Sequence, residues 1–116
     1  MRDPRAILIT GASSGVGEAL ARAYARPGIV LALTGRDQVR LGTAAAACRA
    51  QGAEVLAEAV DVSDRAGMER FVAAAEVLAP LELVIANAGI SAGTGFAGES
   101  TEQVRRIFAE IGRAHV

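Results

Sequence analysis

Thr10-Gly11-Ala12-Ser13-Ser14-Gly15-Val16-Gly17 is the stretch that decides the fold of this 116-residue sequence. It follows an apolar run at 6–10, typical of a buried strand, and opens a segment at 15–26 whose apolar residues recur at the period of a helix. Glycines here allow a tight turn and bring backbone amides close to a bound pyrophosphate. The helix N-terminus adds unpaired N–H groups and the positive end of its dipole. The stretch therefore predicts a phosphate-binding loop, to which Ser13 and Ser14 can add hydroxyl donors.

The rest of the chain continues the alternation of strand and helix. Apolar runs predict further strands at 29–34, 54–60 and 81–86, and helices at 37–51, 63–78 and from 101 onward. Asp37 is the expected N-cap of the first of these helices, and Ser63 or Asp64 that of the second. Strands joined by helices at this spacing form right-handed crossovers into a parallel sheet. We therefore predict an α/β fold with a Rossmann-like, doubly wound parallel sheet of about four strands in the order 3-2-1-4.

Composition and charge exclude several classes of function. The chain is 52% hydrophobic and carries a net charge of -1, so nothing favours nucleic acid or an acidic membrane as a partner. It has no secretory signal and no apolar run of the roughly 18 residues that a membrane helix needs. The single cysteine, Cys48, lies in an alanine-rich segment and is expected to be a buried structural thiol. These features indicate a cytoplasmic protein, and we expect no metal site.

The loop glycines are spaced Gly-x-x-x-Gly-x-Gly, wider at the start than the common Gly-x-Gly-x-x-Gly. Three further segments follow the other strands in order: Arg36, then Asp61-Val62, then Asn87-Ala88-Gly89. Taken singly, they also suit a solvated charge, a turn residue and a strand terminator. Together they lie at the carboxyl edge, where an α/β sheet binds its ligand. From residue 6 to about 109 the chain thus resembles the short-chain dehydrogenase/reductase family.

The resemblance implies an oxidoreductase that transfers a hydride between a nicotinamide cofactor and a small carbonyl or alcohol substrate, and a homo-oligomer in the full-length protein. In the family, the Asp after the third strand contacts the adenine ring, and the Asn-Ala-Gly element lines the cofactor groove. Residues 1–109 would then be the NAD(P)-binding domain. The cofactor-binding residues that we predict are Gly11, Ser13, Ser14, Gly15, Val16, Gly17, Arg36, Asp61, Val62, Asn87, Ala88 and Gly89.

The residues after the second strand bear on the choice of cofactor. A site for NAD usually places an acidic side chain there, which accepts both ribose hydroxyls and repels a 2′-phosphate. Arg36 instead offers a planar, permanently charged fork suited to a phosphate. Asp37 could swing back to the ribose, but its place directly before the helix favours a cap. We therefore predict NADP as the preferred cofactor, with NAD as the alternative.

No residue of the chain is assigned to catalysis. The family uses a Tyr as general acid/base and a Lys one turn later, whose charge favours the phenolate. All 12 basic residues here are Arg, and the one tyrosine, Tyr24, lies in the first predicted helix, where we expect it to pack. Ser91 and Ser100 come too early to be the family's catalytic Ser. We therefore expect a cofactor-binding fragment that is inactive alone.

The chain ends in Ile111-Gly112-Arg113-Ala114-His115-Val116, which ATC GGA AGA GCA CAC GTN encodes. Those codons match a widely used sequencing adapter read in frame. We interpret 110–116 as a non-native tail that gives His115 no role; the alternative is a genuine helix end capped by Gly112.

Two other functions stay open. One is a non-catalytic module that senses NAD(P), which the fold does not separate from an enzyme. The other is a methyltransferase with a similar first turn, against which the Asn-Ala-Gly element argues.

Overall fold

The computed structural model describes residues 4–87, in which strands and helices alternate strictly. The elements are β1 (Ala6–Thr10), α1 (Gly15–Tyr24), β2 (Val30–Thr34), α2 (Gln38–Ala50), β3 (Glu54–Glu58), α3 (Arg65–Leu78) and β4 (Leu83–Ala86). Three predictions lie outside the described residues: the site residues Ala88 and Gly89, the last helix and the 110–116 tail.

The four strands form one parallel sheet in the order β3-β2-β1-β4. β1 lies between β2 and β4, with Thr10 opposite both Thr34 and Ala86. Every residue of β1 is buried. A strand covered on both faces reads as a continuous apolar run rather than as an alternating one, which is the pattern of this segment. The predicted α/β fold and strand order are confirmed.

Helices cover both faces of the sheet, so the core has two layers. Ala6 and Leu8 of β1 face α3, whose buried side chains in this cluster are Met68, Phe71, Val72 and Ala75. Ile7 and Ile9 face α1 and α2, which contribute Ala21, Leu41 and Cys48. Cys48 is completely buried, as predicted, and this burial raises the pKa of its thiol.

Side chains cap two of the helices. Asp37 is the N-cap of α2, as predicted, and its carboxylate accepts a hydrogen bond from the Arg40 N–H at 3.0 Å. Of the two candidates before α3, Asp64 is the cap, since its Oδ1 accepts from the Gly67 N–H at 3.0 Å. Ser63 does not cap because its N–H and its hydroxyl both donate to a carboxylate outside the helix.

Three strands are shorter than the sequence predicts, and β2 is so by one residue, since it begins at Val30 rather than at Ile29. β3 ends at Glu58 rather than at Val60, because the backbone of Val60 bonds to the Thr34 side chain instead of continuing the ladder with β2. β4 begins at Leu83 rather than at residue 81. An apolar pattern indicates which residues are buried, whereas the bounds of a strand depend on its hydrogen bonds to the neighbouring strand. The pattern therefore predicts strands that are too long.

Candidate functional site

The loop between β1 and α1 uses the conformational freedom of its glycines. Gly11 and Gly15 have φ angles of 67° and 40°, in the left-handed region that other residues rarely adopt. Ser14 is the N-cap residue of α1, yet its side chain makes no capping hydrogen bond. Its hydroxyl therefore leaves the N–H groups of the first helical turn available to a phosphate.

Gly17 is where α1 comes closest to the strand ends. A Cβ atom at this position would overlap the carbonyl oxygen of Gly11 and lie 2.9 Å from Nδ2 of Asn87. Only glycine permits this approach of helix to strand. The contact brings three of the predicted site residues, Gly11, Gly17 and Asn87, to one point at the carboxyl edge of the sheet.

Two serines of the loop have different surroundings. Ser13 is only 7% exposed, and its Oγ would lie 2.5 Å from a Cβ atom at Gly35, so it packs beneath the loop against the end of β2. Ser14 and Gly15 are exposed, and the Val16 side chain is 64% exposed. The exposed residues can meet a ligand directly, whereas Ser13 supports the loop from below.

Two threonines that the sequence patterns left unassigned tie the strand ends together. Thr10 Oγ1 accepts a hydrogen bond from the Asn87 N–H at 2.9 Å. Thr34 Oγ1 donates to the Val60 carbonyl and accepts from the Val60 N–H, both at 3.1 Å. Both threonines are fully buried. Each threonine is the last residue of a strand that is otherwise aliphatic. A hydroxyl at such a position predicts a hydrogen bond, because a buried hydroxyl requires a partner.

Arg36 and Asp61 lie close enough for their charges to interact. The pKa of Asp61 is lowered, chiefly by hydrogen bonds from the Ser63 N–H at 2.9 Å and the Ser63 hydroxyl at 2.7 Å, and further by the positive charge of Arg36. Arg36 itself is exposed and makes no hydrogen bond or ion pair with any residue from 4 to 87. Its guanidinium is free to meet an anion.

Val62 is 7% exposed and belongs to the core cluster on the α3 side of the sheet. Its side chain therefore packs inward, directly beside the exposed Asp61.

The described part of the chain, residues 4–87, contains no group of three or more His, Cys, Asp or Glu side chains that could hold a metal ion. None of its helices has the length and apolar character that crossing a membrane requires.

Comparison with known proteins places the chain in a family. A model described as short chain dehydrogenase matches residues 5–110. The chain belongs to the short-chain dehydrogenase family. It is 34% identical to 1-deoxy-11-beta-hydroxypentalenate dehydrogenase from Streptomyces exfoliatus, over 97% of this chain and 42% of that protein. It is 31% identical to the ketoacyl reductase HetN from a Nostoc species, over 90% of this chain and 37% of that protein.

Solved structures of short-chain dehydrogenases share the fold. A family member from Burkholderia phymatum in complex with NAD superposes with a TM-score of 0.80 at 31% identity, covering 94% of this chain and 44% of that one. L-sorbose reductase from Gluconobacter frateurii, complexed with NADPH and L-sorbose, gives a TM-score of 0.76 at 26% identity, covering 96% and 48%. This short-chain dehydrogenase sequence therefore spans less than half the length of these relatives, and its family membership argues against the methyltransferase alternative.

Proposed function

We propose that this chain is the NAD(P)-binding part of an oxidoreductase that transfers a hydride between a nicotinamide cofactor and a carbonyl or alcohol substrate. The observation that carries the proposal is the approach at Gly17, where the glycine loop, the start of α1 and Asn87 meet at the carboxyl edge of the sheet. That edge is where parallel α/β sheets bind their ligands. Relatives whose names describe a ketoacyl reductase and an NADPH-bound sorbose reductase support the same chemistry.

The predicted site residues divide by the part of the cofactor that each would meet. The loop from Gly11 to Gly17 and the N-terminus of α1 would hold the pyrophosphate, with the exposed Ser14 as a hydroxyl donor and Ser13 as a support. Asp61, with Val62 beside it, would meet the adenine. Asn87, Ala88 and Gly89 would line the groove toward the nicotinamide.

Arg36 would bind the 2′-phosphate of NADP. Its guanidinium is exposed at the end of β2 and makes no hydrogen bond or ion pair with residues 4–87, although Asp61 is near enough for the two charges to interact. Guanidinium groups bind phosphate through two charge-assisted hydrogen bonds, which are stronger than neutral ones. Asp37 is held at the start of α2 by its capping hydrogen bond, which favours NADP over NAD as the cofactor.

Binding of two nucleotides that differ only in the 2′-phosphate tests this proposal. We expect the chain to bind adenosine 2′,5′-bisphosphate more tightly than adenosine 5′-monophosphate in isothermal titration calorimetry. Arg36→Ala should weaken the bisphosphate by roughly tenfold or more, the scale of a lost charge-assisted bond, and leave the monophosphate nearly unchanged.

The matched control is Arg26→Ala, which removes the same charge from the exposed chain just after the end of α1. It should change neither affinity by more than a small factor. Equal weakening of both nucleotides by Arg36→Ala, or a preference of the unmodified chain for the monophosphate, would contradict a 2′-phosphate role for Arg36. Failure to bind either nucleotide would contradict the cofactor-binding function itself.

The properties of a longer protein are part of the same proposal. A carbonyl or alcohol as substrate and assembly into a homo-oligomer follow from the family. Residues 1–109 as the cofactor-binding domain and 110–116 as a non-native tail also stay predictions, which the source DNA beyond the codon for Ala109 would test.

A further inference from the structure

Two carboxylates flank Arg36, and both are engaged by neighbours within the chain. Asp61 accepts two hydrogen bonds from Ser63. Asp37 directly follows Arg36 and accepts a hydrogen bond from the Arg40 N–H at 3.0 Å. Its second oxygen, Oδ2, lies 3.8 Å from the guanidinium Nε of the same Arg40. Arg40 therefore holds Asp37 with its backbone and with its side-chain charge.

The orientation of Asp37 matters for the ribose. A carboxylate that is free to turn toward the end of β2 would accept hydrogen bonds from the ribose hydroxyls and repel a 2′-phosphate. A carboxylate that stays on the helix N-terminus does neither as effectively, because one of its oxygens already accepts a hydrogen bond from the helix and the nearby charge of Arg40 partly offsets its own. Arg40 is the third residue of α2, within its first turn, and from there its side chain extends back to the cap residue.

We propose that Arg40 is a positioning residue for cofactor choice, which favours a 2′-phosphorylated nucleotide by keeping the Asp37 carboxylate on the N-terminus of α2 and away from the ribose. This inference rests on the proposed nucleotide-binding function and adds a determinant that acts through Asp37 rather than by touching the phosphate. The inference requires that Arg40 affect the preference between the two nucleotides only while residue 37 carries a negative charge.

The size of the effect follows from exposure. The side chains of Arg40 and Asp37 are 69% and 51% exposed, so solvent screens the pair. Exposed ion pairs of this kind change equilibria by up to about fivefold. The contribution of Arg40 is therefore smaller than that of a direct phosphate ligand and weakens as salt is added.

A double-mutant cycle separates positioning from direct contact. Dissociation constants for adenosine 2′,5′-bisphosphate and adenosine 5′-monophosphate are measured by calorimetry at low salt on the unmodified chain, Arg40→Ala, Asp37→Asn and the double variant. Arg40→Ala should lower the preference for the bisphosphate by roughly two- to fivefold, mainly through tighter binding of the monophosphate. In the Asp37→Asn background, where Asn still caps the helix, the same change should have no effect on the preference.

Two further variants test whether the charge of Arg40, at its own position, sets the preference. Arg40→Lys keeps the charge and should retain most of the preference, whereas Arg22→Ala, which breaks a comparable exposed pair in the last turn of α1, should leave it unchanged. An unchanged preference in Arg40→Ala overturns the inference. Equal loss of bisphosphate affinity in both backgrounds overturns it too, since Arg40 would then be a phosphate ligand. If the unmodified chain binds neither nucleotide, the proposed function fails and the inference fails with it.

Discussion

Hydrogen bonds from one neighbouring residue shift the titration of Asp61 in the candidate site. Asp61 is exposed, yet its pKa is lowered, first by the Ser63 N–H and hydroxyl and then by Arg36. A hydrogen bond to the ionised form stabilises that form. Asp61 therefore takes up its proton at a lower pH than an unfolded Asp does.

Replacing Ser63 with Ala should raise the pKa of Asp61 toward its ordinary value, measured by carboxyl NMR through an acid titration. Because the folded pKa is depressed, the interaction stabilises the fold above the unfolded pKa, and this contribution is lost as the pH falls through the folded pKa. The urea midpoint of Ser63→Ala should thus fall below that of the unmodified chain at neutral pH, and the gap should narrow in acid. Ser14→Ala, whose hydroxyl makes no capping bond, is the control. A gap that is independent of pH would assign the loss to something other than the Asp61 carboxylate.

At this scale the sequence predicts a helix cap better than it predicts the hydrogen bonds that side chains make within turns. Asp37 as a cap follows from its place before a helical period, and the structure confirms it. The bonds of Ser63 to Asp61 and of Thr34 to Val60 were not predicted. Each depends on how a turn orients a hydroxyl, and residue type and spacing leave that orientation open.

Two glycines within helices have opposite roles in packing. A Cβ atom at Gly17 in α1 would overlap the Gly11 carbonyl, whereas a Cβ atom at Gly42 in α2 would meet no atom within 4 Å. Gly17→Ala should therefore destabilise the chain by about 1–3 kcal/mol, the cost of overpacking. Gly42→Ala should stabilise it by about 0.5–1 kcal/mol, because alanine favours the helix and has room.

Thermal and urea unfolding of the two variants measure the change in the free energy of unfolding, which should be opposite in sign for the two. Gly42→Ala controls for the general effect of glycine-to-alanine changes in helices. If Gly17→Ala proved as stable as Gly42→Ala, the close approach of α1 to the loop would be wrong, and with it the geometry that brings Asn87 to the site.

The sequence predicts the type and order of the strands and helices correctly, but it predicts the residues at which they begin and end less well. The period of apolar residues identifies a helix or a buried strand because it reports which face is covered. This period does not predict where β3 ends. The end depends on the Thr34 hydroxyl, which binds the backbone of Val60 in place of a hydrogen bond between strands. The same tertiary contact sets the path of the chain toward Asp61.

For the described residues as a whole, topology determines where the site forms. With strands in the order β3-β2-β1-β4, the chain crosses from one side of β1 to the other, and Gly11 after β1 and Asn87 after β4 lie close together at the carboxyl edge. The bond from the Asn87 N–H to Thr10 fixes that junction. The doubly wound order predicted from strand and helix alternation therefore also predicted which loops would be neighbours, although it did not predict the threonine that joins them.

The composition of the chain bears on whether it can turn over a substrate. We expect the 116-residue chain to bind adenine nucleotides and yet to catalyse no hydride transfer, because all 12 of its basic residues are Arg. The Tyr and Lys pair implied by the family needs a lysine charge beside the phenol to make a base near neutral pH. Tyr24, the one tyrosine, is half-buried in α1 and packs against the core cluster formed with α1 and α2.

The measurement is NADPH oxidation, followed by absorbance, with a panel of aldehydes and ketones at high protein concentration. The matched comparison is the longer product of the source gene, if the reading frame continues with a Tyr-x-x-x-Lys, which should oxidise NADPH with at least one member of the panel. Turnover by the pure 116-residue chain would show that the acid/base group lies within it and that the assignment of no catalytic residue is wrong. A longer product that binds NADPH tightly but turns over nothing would instead favour the nucleotide-sensing alternative, since binding and hydride transfer are separable properties of one fold.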